Sequence, residues 1–470
     1  MRTPSVLLVN GWSDDNKGDA AIVHGMLQSL QSACPGVRLA LISTFAAREP
    51  RFRSHHRLTA ALFPDLRIEG SLLAPKLDRP WGRFGAIARL GWLARSLALL
   101  AVAPIVRRWP GAARVDSRLA AYLAHDLVVS KGGHILFSSG GLRGLVGLYL
   151  NLFPILLGIR LGRPTAIFAH SIGPVHGRAS RWLVRWALRR CALVATREEL
   201  SLGLTRSLLG PGHERTARLT RDTAFALTPA ALPDEVTELL PRRFVVLTVR
   251  QWHFPYLTSR EEAARRYREY LRTLAEVVRV VNREHGLPVV LAPQVVGPTP
   301  AEDDRVAWAE LLALCGRETR LLELRADLSP AQLVELYRRA ELVVGTRFHS
   351  VILALAAGTP AVAIAYHGFK AEGIMQGLRL DEYVFQIDRL SAHELCDGIR
   401  RALTARAELK SRIAEEVAEI RRALDADVRA LLALADRRDP APRPVVESRL
   451  EDRRSRNSVA TTDALEARGS

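Results

Sequence analysis

The feature that most constrains the fold of this chain is a strand, turn and helix pattern at 342–358. An apolar run, Leu342-Val-Val-Gly345, stops at a turn that carries Arg347 and His349, and an apolar-periodic segment continues to Gly358. Side chains at the carboxyl end of a strand lie where open α/β sheets bind ligands. The start of the following helix also presents free N–H groups to an anion. The turn is therefore predicted to hold a negatively charged substrate beside a histidine that moves protons.

The same pattern recurs along the chain. Short apolar runs that end in Gly, Ser, Lys, His or Arg alternate with helical segments, which predicts βαβ units and parallel sheets. The predicted strands lie at 5–11, 37–44, 126–130, 165–170, 192–195, 244–249, 288–293, 320–324, 342–345 and 361–366. A stretch with several prolines at 230–243 is typical of a linker. We therefore expect an α/β chain with two domains, at 1–235 and 236–436, and a disordered tail at 437–470.

The chain is strongly basic, with a net charge of +18 and 67 Lys and Arg residues. A charge of this size raises nucleic acid or an anionic membrane as a partner. Only five of the basic residues are lysines, namely Lys17, Lys76, Lys131, Lys370 and Lys410. This arginine bias, with abundant Ala and Leu, is typical of a GC-rich genome, and no nucleic-acid-binding module is recognisable. No nucleic-acid partner is expected.

Other classes of protein are excluded by what the sequence lacks. The cysteines, Cys34, Cys191, Cys315 and Cys396, are scattered, so neither a disulfide framework nor a zinc site is predicted. No carboxylate or histidine cluster has the spacing of metal ligands, and no cofactor is expected. The first apolar run leads directly into a Gly- and Asp-rich loop, which predicts a strand rather than a signal peptide. The chain is expected to be cytoplasmic.

Two apolar segments raise the question of a membrane. The segment 86–106 carries Arg89 and Arg95, and the segment 142–161 is interrupted by Pro154, so neither is expected to span a bilayer. Arginine, tryptophan and leucine in one helix also suit a helix that lies on a membrane surface. For 86–106, peripheral contact with the inner face of the membrane and an ordinary domain helix both stay open.

The segment Lys17-Gly18-Asp19 lies in the loop after the first predicted strand. It suits a substrate loop, but Asp19 equally suits the N-cap of the helix predicted at 20–33. Lys17, Lys131 and Lys370 all lie in Gly-rich loops at strand ends. Because arginine replaces lysine nearly everywhere in this chain, these three lysines are candidates for substrate contacts.

Several motifs resemble those of the polysaccharide pyruvyl transferase family, over about residues 5–390. The most specific is a C-terminal signature that consists of Gly345-Thr-Arg-Phe-His-Ser350, Ala356-Ala-Gly-Thr-Pro360 and Ala365-Tyr-His-Gly-Phe-Lys370. The others are Lys17-Gly18-Asp19, Lys131-Gly132-Gly133, Ser171-Ile-Gly-Pro174, Arg197 with Ser201, Asp222-Thr-Ala-Phe225 and the strand that ends at Arg250. His134 departs from the pattern, because many members have a third glycine there.

The resemblance implies two Rossmann-like domains that face a cleft, similar to the GT-B glycosyltransferase fold. It implies transfer of a pyruvyl group from phosphoenolpyruvate to a sugar of a cell-surface polysaccharide or of its lipid-linked precursor, which forms a cyclic ketal and releases phosphate. Arg250, Arg347 and His349 match the family positions for donor binding and catalysis. The residues expected to bind substrate are Lys17, Gly18, Asp19, Lys131, Gly132, Gly133, Ser171, Arg197, Ser350 and Lys370.

The chemistry of phosphoenolpyruvate suits these residues. The donor carries a phosphate and a carboxylate on three carbons, and the planar fork of arginine binds either anion with two hydrogen bonds. Ketal formation requires a proton on the methylene carbon and removal of protons from the acceptor hydroxyls. A histidine near its ordinary pKa of about 6.5 can give and take protons at cellular pH, and His349 is assigned this role.

Two other functions stay open from the sequence. One is a nucleotide-sugar glycosyltransferase of the same architecture, although no clear Glu motif for a ribose is present in the C-terminal half. The other is a non-catalytic or membrane-associated protein of polysaccharide assembly that uses its basic surface. The oligomeric state is left open.

Overall fold

The structure is a computed structural model that describes residues 3–73, 83–111, 116–213, 216–366 and 370–436, with the backbone alone for 83–89. Within these ranges the chain forms two parallel β-sheets with helices between the strands. The predicted tail at 437–470 and the motif residues 367–369 lie outside the described residues. Both sheets and their order along the chain agree with the predicted α/β organisation.

The N-terminal sheet has eight strands in the described part of the chain, and all their pairings are parallel. Their order is β3-β2-β1-β4-β6-β7-β8, with β5 beside β6. The strands are β1 Ser5–Gly11, β2 Arg38–Ser43, β3 Arg67–Glu69, β4 Leu127–Ser130, β5 Gly133–Ser138, β6 Thr165–Val175, β7 Leu193–Thr196 and β8 Ala217–Leu219.

The C-terminal sheet has six described strands, again all parallel, in the order β11-β10-β9-β12-β13-β14. They are β9 Val245–Thr248, β10 Val289–Leu291, β11 Leu321–Glu323, β12 Leu342–Gly345, β13 Ala361–Ala365 and β14 Val384–Gln386. The central strands β9, β12 and β13 are buried along their whole length. This explains their continuous apolar runs, since parallel strands are covered on both faces.

Sixteen α-helices connect and cover these strands within the described ranges. The first nine are α1 Lys17–Ala33, α2 Phe52–His55, α3 Arg57–Leu62, α4 Arg83–Arg108, α5 Ser117–Ala124, α6 Gly141–Arg160, α7 Arg178–Leu188, α8 Glu199–Leu209 and α9 Asp234–Leu239. The others are α10 Arg260–His285, α11 Asp304–Cys315, α12 Pro330–Arg339, α13 Phe348–Ala356, α14 Lys370–Gly377, α15 Ala392–Thr404 and α16 Arg406–Leu432.

The last long helix, α16, connects the two cores. Its first half packs Ile413 and Val417 into the core of the C-terminal sheet, whereas Leu424 and Val428 pack into the core of the N-terminal sheet. The predicted domain limits at 235/236 and 436/437 stay predictions. The packing adds that the end of α16 lies against the first sheet.

Three local predictions are corrected by the structure. The Gly-rich loop predicted at Lys131-Gly132-Gly133 is only two residues long, because strand β5 begins at Gly133 and pairs with β6. Helix α1 begins at Lys17, and its N-cap is Asn16, whose side chain accepts hydrogen bonds from the N–H groups of Gly18 and Asp19. Asp19 is therefore not the cap. The predicted linker at 230–243 contains the short helix α9.

Candidate functional site

The predicted turn at 345–350 is held together by its own small side chains. A Cβ on Gly345 would lie 2.5 Å from the hydroxyl oxygen of Ser350, so only glycine fits there. Ser350 donates to the carbonyl of Arg347 at 2.7 Å and pairs with the hydroxyl of Thr248 at 2.8 Å. Because Ser350 is fully buried, its observed contacts shape the turn. Its predicted contact with substrate does not enter our proposal.

Arg347 is oriented by a buried carboxylate. Its Nε donates to Oδ1 of Asp304 at 2.7 Å, and its Nη2 donates to the carbonyl of Glu302 at 2.9 Å. The other oxygen of Asp304 accepts from the backbone N–H groups of Gln294 and Val295, both at 2.9 Å. Asp304 thus fixes one edge of the guanidinium, and the side chain of Arg347 keeps 13% exposure.

Arg250, just after β9, is held by aromatic rings. Its guanidinium carbon lies 4.3 Å from the ring centre of Tyr366 and 4.8 Å from that of Trp252. Such contacts stabilise a cation without neutralising it. Within the described ranges no carboxylate is paired with Arg250. Burial raises the pKa of Tyr366, but the positive charges of Arg250, Lys370 and Arg347 together lower it by a larger amount. The net shift of this pKa is therefore downward.

His349 lies on α13 where the two sheets' loops meet. Its Nδ1 is 3.4 Å from Nζ of Lys370, and its Nε2 is 3.8 Å from Oδ2 of Asp222 without a hydrogen-bond partner. The start of α1 packs against the same ring, because a Cβ on Gly18 would lie 2.4 Å from Nδ1. Gly18 is therefore required for this close approach.

The prediction that His349 has an ordinary pKa is wrong. Burial, together with the positive charges of Lys370, Arg197 and Lys131, lowers the pKa of His349 well below 6.5. The imidazole is therefore neutral at cellular pH in the free protein. Burial and the neighbouring Arg197 also lower the pKa of Lys370 to about 8.

The loops of the N-terminal sheet contribute two paired charges. Nζ of Lys131 donates to Asp19, and both Lys131 and Arg197 are almost fully buried. Arg197 donates from Nη1 to Asp222 at 2.5 Å and from Nε to the hydroxyl of Ser171 at 2.9 Å. We call Arg250, Arg347, His349 and Lys370 the C-terminal side of the site, and Asp19, Lys131, Ser171, Arg197 and Asp222 its N-terminal side.

Three further predicted residues, Lys17, Gly132 and Gly133, have conformational roles in the structure. The side chain of Lys17 is 1% exposed and pairs with Asp327 at 2.6 Å, which ties α1 to the C-terminal domain. A Cβ on Gly132 would lie 2.7 Å from the carbonyl of Ala169, and Gly133 has a φ of +143°, which favours glycine. Their predicted contacts with substrate are not part of our proposal.

The sequence did not point to several residues that line the site. Asp304 looked like an ordinary helix start, and its pairing with Arg347 depends on the adjacency of loops far apart in sequence. Tyr366 and Trp252 stand next to predicted site residues, which was a usable signal. Gln294 carried none, although its amide is buried and both of its polar atoms lack a partner.

Several buried polar atoms in this region have no hydrogen-bond partner. They include Nη2 of Arg197, Nε1 of Trp252, Nε2 of His349 and the amide of Gln294. Buried polar groups normally have partners, so such a set indicates a place for polar ligand atoms or water. The described residues contain no group of three or more His, Cys, Asp or Glu that could hold a metal ion. A cavity of about 500 Å³ lined by Arg48, Arg95 and Arg118 involves none of the residues of either side.

Solved structures with a similar fold are GT-B-like glycosyltransferases and epimerases. A putative UDP-N-acetylglucosamine 2-epimerase from Listeria monocytogenes matches 95% of this chain and 100% of its own, with a TM-score of 0.55 and 12% identity. A UDP-glucosyltransferase from Polygonum tinctorium matches 93% of this chain and 99% of its own, with a TM-score of 0.51 and 12% identity. At this identity the likeness shows the fold alone, and it confirms the predicted GT-B-like architecture.

Two comparisons of sequence concern the family. The amylovoran biosynthesis protein AmsJ of Erwinia amylovora is 24% identical over 427 residues, which is 88% of this chain and 96% of that protein. The family model described as polysaccharide pyruvyl transferase matches residues 16–368, which include the turn, Arg250 and the loops of the N-terminal side. The chain therefore belongs to the polysaccharide pyruvyl transferase family, as its motifs predicted.

Proposed function

We propose that the chain transfers the pyruvyl group of phosphoenolpyruvate to two hydroxyl groups of one sugar and releases phosphate. The sugar belongs to a cell-surface polysaccharide or to its lipid-linked precursor, and we expect the reaction in the cytoplasm, where the donor is available. The observation that carries the proposal is the excess of cations on the C-terminal side. Arg250 and Lys370 have no carboxylate partner in the described part of the chain, and Lys370 lies 3.4 Å from Nδ1 of the neutral His349.

The C-terminal side supplies what a small, highly charged donor needs. Arg250 keeps its positive charge against two aromatic rings, and Arg347 is fixed at one edge by Asp304, which leaves the rest of its fork for an anion. Nε1 of Trp252 is a further donor without a partner. Hydrogen bonds from fixed cations to phosphate or carboxylate are stronger than neutral ones.

Proton transfer is assigned to His349 and Lys370. In the free protein the Lys370 ammonium donates toward Nδ1, which leaves the hydrogen of the neutral ring on Nε2. A bound trianionic donor raises the pKa of His349, because a nearby negative charge favours the imidazolium. Lys370, whose pKa is lowered to about 8, can then pass its proton to the ring. The imidazolium protonates the methylene carbon of the donor.

The reaction balances with the two hydroxyl protons of the sugar. The methylene carbon takes one proton from the protein to become a methyl group, and one hydroxyl proton returns to the protein in its place. The other hydroxyl proton leaves with phosphate. Two C–O bonds form at C2 of the pyruvyl group, and the bond from C2 to the phosphate oxygen breaks. After the first proton transfer, the neutral ring of His349 can accept a proton from a hydroxyl.

The N-terminal side is proposed to bind the sugar. Its cations are already paired with Asp19 and Asp222, so this side has little net charge to attract an anion. It still offers hydrogen-bond donors and acceptors. Asp222 also lies 3.8 Å from Nε2 of His349. A sugar hydroxyl bound between these groups would lie next to the proton-transfer residue.

The test is an incubation with phosphoenolpyruvate and a panel of free and lipid-linked sugars. We expect phosphate release that requires both donor and a sugar with two suitable hydroxyls, and a ketal detectable by mass spectrometry. His349→Gln should lower the rate of release by about 10²- to 10⁴-fold, whereas His393→Gln, at a histidine that is 83% exposed on α15, should leave it unchanged. If the chain releases a nucleoside diphosphate from a sugar nucleotide and releases no phosphate from phosphoenolpyruvate, the result would instead favour the function of a nucleotide-sugar glycosyltransferase.

A further inference from the structure

Helix α4 has an unusual outer surface. A surface helix normally shows polar residues to solvent and an apolar stripe to the core. The segment Leu90–Arg108 is strongly apolar, yet only 17% of its most apolar stretch is buried. Its large exposed side chains are Leu90, Leu97, Val102 and Ile105, and Trp109 follows at the end of the helix with 69% exposure.

These side chains form one continuous face. Leu90, Leu97 and Ile105 are spaced by seven and eight residues, so they lie along one side of the helix, with exposed Ala94, Ala98 and Ala101 between them. The opposite side packs against α6, where the hydroxyl of Ser96 bonds to that of Tyr149 at 2.9 Å. By length and composition α4 and α6 could each cross a membrane. These contacts with a folded domain, and the arginine in the middle of α4, instead suit a helix that lies along a surface.

The neighbouring helices extend this face with positive charge. Helix α6 packs between α4 and α7, and Leu142 at its start is 76% exposed. Helix α7 exposes Arg178, Arg181 and Arg185 together with Trp182, which is 65% exposed. The sequences of the three helices contain five, two and three arginines, respectively, and no aspartate or glutamate.

We propose that α4, the start of α6 and the outer face of α7 form a docking surface for an anionic lipid bilayer. Tryptophan and arginine beside an apolar helix face are the groups that bind the headgroup region, with the apolar side chains in the acyl boundary. A second copy of the chain is a poor occupant of this surface. A symmetric contact would bring two sets of arginines together, and none of the three helices contains a carboxylate to offset them.

The docking surface is independent of the proposed reaction, but its position is compatible with it. Strand β5 runs from Gly133, next to Lys131 of the site, to Ser138, just before α6, and Phe137 on this strand is 39% exposed. A strand of six residues spans about 20 Å. An acceptor held in the same bilayer would therefore need to reach only a short distance from the surface to the site.

The experiment is co-sedimentation of the full chain with vesicles. We expect binding to vesicles of phosphatidylcholine with phosphatidylglycerol, weak binding to phosphatidylcholine alone, and a loss of binding as salt rises. The variant Leu97→Glu/Ile105→Glu should lower the partition coefficient at least about tenfold, because two charges enter the apolar boundary. Its matched control is Leu239→Glu on α9, where the leucine is 62% exposed.

A second variant tests the charge separately. Arg181→Gln/Arg185→Gln should lower binding to anionic vesicles by about fivefold per arginine and leave binding to phosphatidylcholine unchanged. Both variants should keep the phosphoenolpyruvate affinity of the wild type, which separates this proposal from the proposed reaction. The proposal is overturned if the wild type stays in the supernatant with anionic vesicles or if the Leu97/Ile105 variant binds them normally. The proposal is also overturned if sedimentation without lipid shows that the wild type is a dimer and that the Leu97/Ile105 variant is a monomer.

Discussion

The two sides of the site contain similar charged groups but balance them differently. On the N-terminal side, Lys131 pairs with Asp19 and Arg197 pairs with Asp222. Of the three cations on the C-terminal side, only Arg347 has a carboxylate partner among the described residues, while Arg250 lies against two aromatic rings and Lys370 contacts a neutral imidazole. The first side is close to neutral, and the second carries an excess of positive charge.

This difference in charge balance indicates which substrate each side suits. Burying an unpaired cation is costly, and an aromatic contact offsets only part of that cost. An anion that binds on the C-terminal side is therefore stabilised by its attraction to cations that have no carboxylate partner. A sugar has no charge, and it suits a side whose ions are already paired but still have free lone pairs and donors. The comparison therefore assigns the donor and the acceptor to opposite sides of the site. Substitutions on each side can test this assignment.

The largest expected effect is at His349, which lies between the two sides. His349→Gln removes the proton transfer and should lower kcat by about 10²- to 10⁴-fold. The affinity for phosphoenolpyruvate should change little, since the arginines remain. Steady-state kinetics with the His393→Gln control checks this, and a variant that loses affinity but keeps kcat would contradict the assignment.

Gly18→Ala tests the contact between the sides. The new Cβ would lie 2.4 Å from Nδ1 of His349, so the ring must move. A shift of about 1 Å in a catalytic group can cost about 10²-fold in rate, and we expect a loss of that size in kcat. Gly203→Ala on α8, where nothing lies within 4 Å of a Cβ, is the control and should be neutral. Normal activity of Gly18→Ala would show that α1 does not press on the histidine during the reaction.

Exchange of single lysines should separate the two sides. Lys370→Arg replaces an ammonium of lowered pKa by a group that stays protonated, so kcat should fall about tenfold and donor affinity should change. Lys131→Arg should raise the KM for the sugar and leave donor affinity unchanged. Lys410→Arg on α16 serves as the control. Unchanged donor affinity in Lys370→Arg would remove this lysine from the donor site.

The smallest effect concerns stability in acid. Burial lowers the pKa of His24 and His56 to about 4 and, with Arg197 and Lys131, that of His170 to about 3. The unfolded chain takes up these protons below pH 6.5 and the folded chain does not, so stability is lost as the pH falls from 6.5 toward 4. Thermal unfolding should show a Tm that decreases over this window, and His24→Gln should flatten the decrease. A Tm that is constant from pH 6.5 to 4.5 would contradict these shifts.

Much of the fold follows from local patterns in the sequence. The strand at Ser5–Gly11 was predicted with its observed bounds, because an apolar run bounded by a Gly-rich loop has few alternatives. β5 was missed because its apolar residues, Ile135-Leu-Phe137, form a short run between Gly- and Ser-rich segments that favour a loop, and its pairing with β6 is not visible in the sequence. The capping of α1 was misassigned because Asn16 and Asp19 are equally good N-cap residues by type.

The sequence and the family motifs predicted members of the candidate site but not the contacts that set its charge balance. Arg347, His349 and Arg250 could be named from the sequence and the family motifs. That Lys17 pairs with Asp327 and that Asp304 holds Arg347 depends on the approach of distant loops. The lowered pKa of His349 could not be predicted either, because it results from burial and from cations contributed by both domains.

The most direct test of the difference between the sides is the binding of phosphoenolpyruvate without acceptor, measured by titration calorimetry. Arg250→Gln should weaken binding by about 10- to 100-fold, the value of a hydrogen bond to a charged group. Lys131→Met/Asp19→Asn, which removes a balanced pair from the N-terminal side, should change it less than about twofold, like Arg317→Gln at an exposed arginine. Equal losses in the first two variants, or a larger loss in the Lys131/Asp19 variant, would contradict a donor site on the C-terminal side.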